Sequence, residues 1–261
     1  MSGGNFETVN EPRDDRVDET LKGAIQRMTD AGFDIGRPVS LAIDSKLPFM
    51  GYTMPRDGGF TIVVSGMAVD SGMLDGLLLH ELSHIYRMQT NHPSHNAHLL
   101  REAMRSLGNH ALSHEYKRRI IRDLVNDLQD LYADEIAVKV MTQTQVVSER
   151  ELTGFFQSWV KDAPVQSNDA RRDRWLNLSI MEKNARAISQ MRKQGIRDTG
   201  ERAARSNERF LELLPTEMSK YYEYFEGLLS NLPENIGEDA YRVFLTDYLS
   251  KFVKVAEGNE E

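Results

Sequence analysis

Apolar residues recur along this chain with two different periods. From residue 38 to 69 they come in short blocks divided by Pro, Gly and Asp, and almost everywhere else they fall three or four positions apart. The first pattern predicts strands and the second helices. Three strands are expected, at Pro38–Ile43, Phe49–Met54 and Phe60–Val69, with Arg56-Asp57-Gly58-Gly59 as the turn between the last two. Ahead of them, Asp18 is placed to cap a helix running to about Asp30 on a face of Leu21, Ile25 and Met28, and Ala31-Gly32 stops it. After them, Asp70-Ser71 offers a cap for a helix over Met73–Met88, and Asn91-His92-Pro93-Ser94 breaks the pattern.

Helices follow at His98–Ser106 and Tyr116–Met141, with Gly108-Asn109 as an interruption between them. Beyond residue 148 there is no strand signal. Helical spacing covers Arg150–Lys161, Ala170–Lys193, Arg202–Leu229 and Asp239–Val255, and Pro215 should break or kink the third of these. No internal repeat or low-complexity stretch is present. A helix, a small sheet and then many helices define an α+β architecture.

Composition narrows the chemistry. The chain has 261 residues, 40% of them hydrophobic, and a formal net charge of -8. Such a chain repels a phosphate backbone, so nucleic acid is not an expected partner. It contains no cysteine, so a metal must be held by His, Asp or Glu, and a reducing compartment fits. No stretch approaches the roughly 20 apolar residues of a membrane span. The first residues, Met-Ser-Gly-Gly-Asn-Phe-Glu, lack the basic start and apolar core of a signal peptide. A soluble, cytoplasmic protein is expected.

The helix at 73–88 carries His80-Glu81-Leu82-Ser83-His84. At about 100° per residue, histidines four apart project from one face, a turn apart, and both imidazoles can reach one zinc ion. The glutamate between them is placed to take a proton from zinc-activated water and pass it to a leaving group. Leu74, Leu78, Leu82, Ile85 and Met88 form the apolar stripe of this helix. Glu81 falls inside that stripe, with His80 and His84 along its margin. A carboxylate on a core face is costly unless a partner or a polar cavity receives it, so a plain surface helix does not account for Glu81.

The third ligand is less local. Asp123, Asp127, Asp130 and Asp134 share one face of the helix at 116–141. Four like charges in a stripe repel, and a cation would relieve them. The ordinary meaning of such a run is a solvated acidic face.

The motif His80-Glu81-Leu82-Ser83-His84, followed by Asp130-Leu131-Tyr132-Ala133-Asp134-Glu135-Ile136-Ala137, resembles the gluzincin metallopeptidases. It looks most like the group of HtpX and the CAAX prenyl proteases, and like the ImmA/IrrE group. Ala133, Asp134 and Ala137 match the second motif of those families, E-x-x-A-D or E-x-x-A-N with a small residue three further on. Asp130 stands where they have glutamate. The resemblance spans about residues 38–141. It implies one Zn2+ per chain, held by His80, His84 and Asp130, with Glu81 as general base and acid. Asp134 would then hydrogen-bond a ligand histidine, and Ala133 and Ala137 would allow close helix packing. Glu135, beside Leu128 and Leu131, is the competing ligand. Asp123 and Asp127 lack such small neighbours, and replacing them with alanine is expected to be near neutral or slightly stabilising through reduced repulsion. The resemblance also implies that one strand, Phe49–Met54 or Phe60–Val64, pairs with an extended substrate.

On this basis, residues 15–147 form a zincin-like core with a small, mainly antiparallel sheet and the H-E-x-x-H helix. Residues 148–256 form a helical region, and 1–14 and 257–261 are flexible ends. The expected activity is zinc-dependent hydrolysis of peptide or protein substrates. The alternatives are a non-catalytic, regulatory zincin-fold binding protein and a zinc hydrolase of a non-peptide amide. His92, His95 and His98 read as loop histidines, and His110 and His114 lack the intervening glutamate. Tyr132, Arg171, Arg172 and Arg174 are candidates for stabilising an oxyanion. Trp159, Trp175 and the run Tyr221-Tyr222-Glu223-Tyr224-Phe225 are expected to pack the helical region.

Overall fold

A computed structural model describes residues 15–108 and 112–258. The expected flexible N-terminus, Asn109 with His110, and the last three residues of the expected tail lie outside the described residues. The chain is α+β and forms two compact units. One contains the residues up to Gln89 together with Ile136–Val146; the other contains Thr90–Glu135 and the residues from Val147 on.

The first unit holds α1 (Asp15–Asp30), β1 (Val39–Asp44), β2 (Gly51–Arg56), β3 (Gly59–Ser65), α2 (Gly66–Asp70) and α3 (Leu74–Gln89). Helix α1 starts three residues before its expected cap at Asp18. Its Val17, Leu21, Ala24 and Met28 are buried, and Arg27 pairs with Asp75 of α3 at 2.7 Å. The third strand ends at Ser65, short of the expected Val69. Ser65 Oγ accepts a hydrogen bond from the Ala68 backbone N–H, so the apolar run Met67-Ala68-Val69 turns into a helix. Ser71 closes that helix by donating to the Ala68 carbonyl, instead of capping α3.

The sheet is mixed, which corrects the mainly antiparallel expectation. Its order is β1-β3-β2, with β3 parallel to β1 and antiparallel to β2. The β2–β3 turn is tight because Gly58 adopts a φ of +78°, where glycine carries little steric penalty. Phe60, Ile62 and Val64 of β3 face the core and are buried. Each such side chain contributes roughly 1.5–3 kcal/mol relative to exposure.

Strand β3 is paired along both sides, so of the two candidate substrate strands only β2 has an edge left unpaired among the described residues. The Ser65 N–H donates to the Met50 carbonyl at 2.9 Å. With the register Gly51↔Val64, that bond makes Met50, Tyr52, Met54 and Arg56 the inward-bonding residues. Gly51, Thr53 and Pro55 therefore turn their backbone polar groups to the free edge. Pro55 has no N–H, and an outward position on an edge strand is where proline is tolerated.

The second unit holds α4 (Ala97–Ser106), most of α5 (Glu115–Gln143), α6 (Glu149–Trp159), α7 (Ala170–Lys193), α8 (Arg202–Glu212), α9 (Thr216–Ser219), α10 (Tyr222–Ser230) and α11 (Glu238–Glu257). Pro215 breaks the expected long helix as anticipated. Trp175, Phe210, Phe225, Tyr241, Tyr248 and Phe252 are fully buried, and Trp175 meets Phe252 edge-on with ring centroids 5.8 Å apart. Trp159 is only half-buried, and Tyr224 is exposed. No helix among the described residues is long and apolar enough to cross a membrane.

Candidate metal centre

Leu74, Leu78, Leu79, Leu82 and Ile85 anchor α3 in the core. Ser83, on the same buried side, donates back to the Leu79 carbonyl at 2.7 Å. This anchoring sets the rotation of the helix. It leaves His80 and His84 half-buried, with rings nearly perpendicular and Nε2 atoms 3.1 Å apart. Two nitrogens each 2.0–2.1 Å from one tetrahedral zinc stand about 3.3 Å apart. The histidine pair thus has the spacing of two ligands to a single ion.

Glu81 is buried at 4% exposure. Thr53, on the edge strand β2, donates its Oγ1–H to Glu81 Oε2 at 2.7 Å. The same Oγ1 lies 3.3 Å from the Glu81 backbone carbonyl. The hydrogen bond compensates the cost of burying the carboxylate and fixes one of its oxygens.

The donor atoms of His80, His84 and Asp130 all lie within 4.8 Å of one another, the one such group of three among the described residues. Two imidazoles and a carboxylate are a donor set suited to zinc. Glu135 is not in this group. It pairs with Lys193, whose ammonium also donates to the Leu232 carbonyl at 2.8 Å.

The acidic stripe of α5 is not a solvated face. Only Asp123 fits that description, at 4.0 Å from Arg119 on the same helix. Asp127 and Asp134 are largely buried against α7. Arg186 of α7, itself 5% exposed, places Nη1 2.5 Å from Asp127 Oδ1. Its Nη2 lies 3.5 Å from Asp130 Oδ2 and 3.4 Å from Asp134 Oδ2. Gln190 also donates to Asp134 Oδ2, at 2.8 Å. Burial works against the charge on Arg186, but Asp127, Asp130 and Asp134 outweigh it and hold its pKa above the ordinary value. The expectation that Asp127→Ala is near neutral is thereby corrected, because the change would take the nearest anion from a buried guanidinium.

Glu182, one turn before Arg186, is fully buried beside the Tyr248 hydroxyl. Burial, and then the charge of Asp127, push its pKa up to about 8 from an ordinary 4.5. The unfolded chain releases this proton near 4.5, whereas the folded chain keeps it until about 8. Folding is therefore opposed progressively as pH rises through that window, and to a constant extent above it. Glu182→Gln removes the titration. It is expected to change stability little at pH 4.5 and to stabilise by a few kcal/mol at pH 8. Urea unfolding of both chains at the two pH values checks this. A stability difference independent of pH would contradict it.

Most of the remaining candidates have structural partners. His92 Nδ1 and His95 Nδ1 both meet the buried Ser94 hydroxyl, at 2.7 and 2.8 Å. His98 is exposed beside Glu102, and His114 stacks on Tyr116. Tyr132 is fully buried and donates to the Pro233 carbonyl at 3.4 Å. Arg171 pairs with Glu257, Arg174 donates to the Val255 carbonyl, and Arg172 is exposed.

Two residues central to this arrangement escape a reading of the sequence motifs. Thr53 carries no signal beyond ordinary strand preference. Arg186 does carry one: Glu182, Arg186 and Gln190 recur at four-residue intervals and so form a polar stripe on a helix otherwise buried through Leu178, Met181 and Ala185.

The fold and donor set define an α+β protein with a two-histidine helix and a candidate metal centre. Residues 15–184, well over half of the chain, match DUF5781, a family of unknown function, and the chain belongs to that family. No curated protein and no solved structure matches it.

Proposed function

We propose that this chain is a zinc-dependent peptidase acting on extended peptide or protein segments. The observation that carries the reading is the buried Glu81 carboxylate, held by Thr53 of the free-edge strand and flanked in sequence by two histidines with converging Nε2 atoms. A structural metal site has no use for that carboxylate.

His80, His84 and Asp130 would hold the ion. When bound, zinc supplies Lewis acidity toward a carbonyl and makes a water acidic near neutral pH. Glu81 takes the proton from the attacking water and returns it to the departing amine. Thr53 keeps Oε2 in place, leaving Oε1 for proton transfer. A peptide laid along β2 receives main-chain hydrogen bonds from Gly51 and Thr53, in the manner of strand addition.

The test is incubation of the zinc-loaded chain with a mixed peptide library, followed by labelling of new N-termini. Appearance of new N-termini, abolished by a chelator and restored by zinc, is the expected result. If the loaded chain releases none, the peptidase reading is wrong. A regulatory metal-binding protein, or a hydrolase of another amide, would then take its place.

A further inference from the structure

We propose that Arg186 is a positioning residue of the metal centre, fixing the Asp130 carboxylate from the neighbouring helix α7. The inference rests on the metal-binding reading of His80, His84 and Asp130.

Asp130 sits in a row of acids. Asp127 lies one turn before it and Asp134 one turn after, and Glu182 faces the same region from α7. A carboxylate in such company is repelled by its neighbours, and a fixed cation beside it offsets that repulsion. Lys183 lies 3.9 Å from Asp127, but the guanidinium of Arg186 reaches Asp127, Asp130 and Asp134 together. Its two terminal nitrogens divide the work, Nη1 to Asp127 and Nη2 between Asp130 and Asp134.

The guanidinium is itself immobilised. Asp127 holds one nitrogen at 2.5 Å, the Trp159 ring lies 4.9 Å from its carbon, and burial excludes water. Asp134 is held independently by Gln190. Asp130 is the least buried of the three, with its side chain 32% exposed, and Oδ2 lies 3.5 Å from this fixed cation. Its carboxylate is thereby oriented from one side, and the energy of that orientation is spent when the chain folds, before any metal arrives. A ligand held in advance loses less freedom on binding.

A planar fork is needed for this, because one rigid group must reach two or three carboxylates at once. Lysine carries the same charge as a point and cannot span them. Two variants keep the net charge of the region while removing the fork. Arg186→Lys replaces the fork. Arg186→Gln with Asp127→Asn removes a buried cation and anion together and leaves no uncompensated charge between that pair.

The experiment measures zinc affinity by competition with a chromophoric chelator, and the visible absorption of the same chains loaded with Co2+. Each variant is expected to weaken zinc binding by about 10–100-fold, the effect of losing an outer partner of a ligand. The cobalt bands are expected to shift or change intensity, which a merely structural role for Arg186 would not cause. A folded variant that binds zinc with wild-type affinity and gives the wild-type cobalt spectrum overturns the inference. If the wild-type chain itself binds neither metal, the metal reading fails and the inference falls with it.

Discussion

Glu81→Gln is expected to leave zinc bound and to reduce peptide hydrolysis by at least about 10²–10⁴-fold, the usual contribution of a positioned general base. Glutamine keeps the size of the side chain, and its amide oxygen can still accept the bond from Thr53 Oγ1. What is lost is the capacity to take the proton of the attacking water. Thr53→Val serves as the companion. It removes the hydroxyl that fixes Oε2 but leaves the carboxylate, so its effect should be smaller than that of Glu81→Gln. Turnover of any peptide cleaved by the wild type, measured beside zinc content, decides the matter. Undiminished turnover in Glu81→Gln would refute the assigned role.

The second large effect concerns the ligands. His80→Ala and His84→Ala each remove one of two nitrogens whose Nε2–Nε2 distance is 3.1 Å, and each is expected to abolish zinc retention through gel filtration. Asp130→Ala is expected to weaken binding strongly, since it removes a charged ligand oxygen. Asp134→Ala is expected to weaken it less, by about 10–100-fold. Glu135→Ala is expected to cost stability through Lys193 and leave zinc affinity intact. Asp127→Ala behaves differently from all of these. It leaves Arg186 buried without its nearest anion, and the expected cost is about 3–5 kcal/mol of folding stability. Chelator titrations and chemical unfolding of the set separate the two kinds of effect. Zinc retained by Asp130→Ala and lost by Glu135→Ala would reassign the third ligand.

Much of this molecule is legible from local pattern. Helix α7 begins and ends where periodicity places it, because Asp169 accepts a hydrogen bond from the Arg172 N–H and the apolar spacing runs without interruption. Pro215 and the Asp57-Gly58 turn act through backbone geometry alone, which makes them readable in isolation. The strand boundary at Ser65 is not of this kind. A run of apolar residues suits a strand or a helix, and one serine hydroxyl tipped the choice. Strand order is a question of pairing across sequence, and periodicity holds no information about which strand takes the centre.

The acidic stripe shows the same limit at the candidate site. A row of aspartates on a helix reads as solvated until its partner is known. Arg186 lies 59 residues from Asp127, and its own stripe was visible only as spacing on a different helix. The histidine pair needed no such partner, because its ligand geometry is contained in one turn of helix.

The missing N–H of Pro55 bears on how long a bound chain would stay. Only Gly51 and Thr53 offer both a donor and an acceptor at the free edge, and they span roughly 7 Å. A peptide held there would be gripped from both sides along the length of a dipeptide, with only the Pro55 carbonyl beyond it. So short a grip favours rapid departure of products and places few demands on the residues to either side. It also denies a second copy of the chain the long template on which sheets polymerise. The one proline in the strand keeps an open edge from seeding fibres.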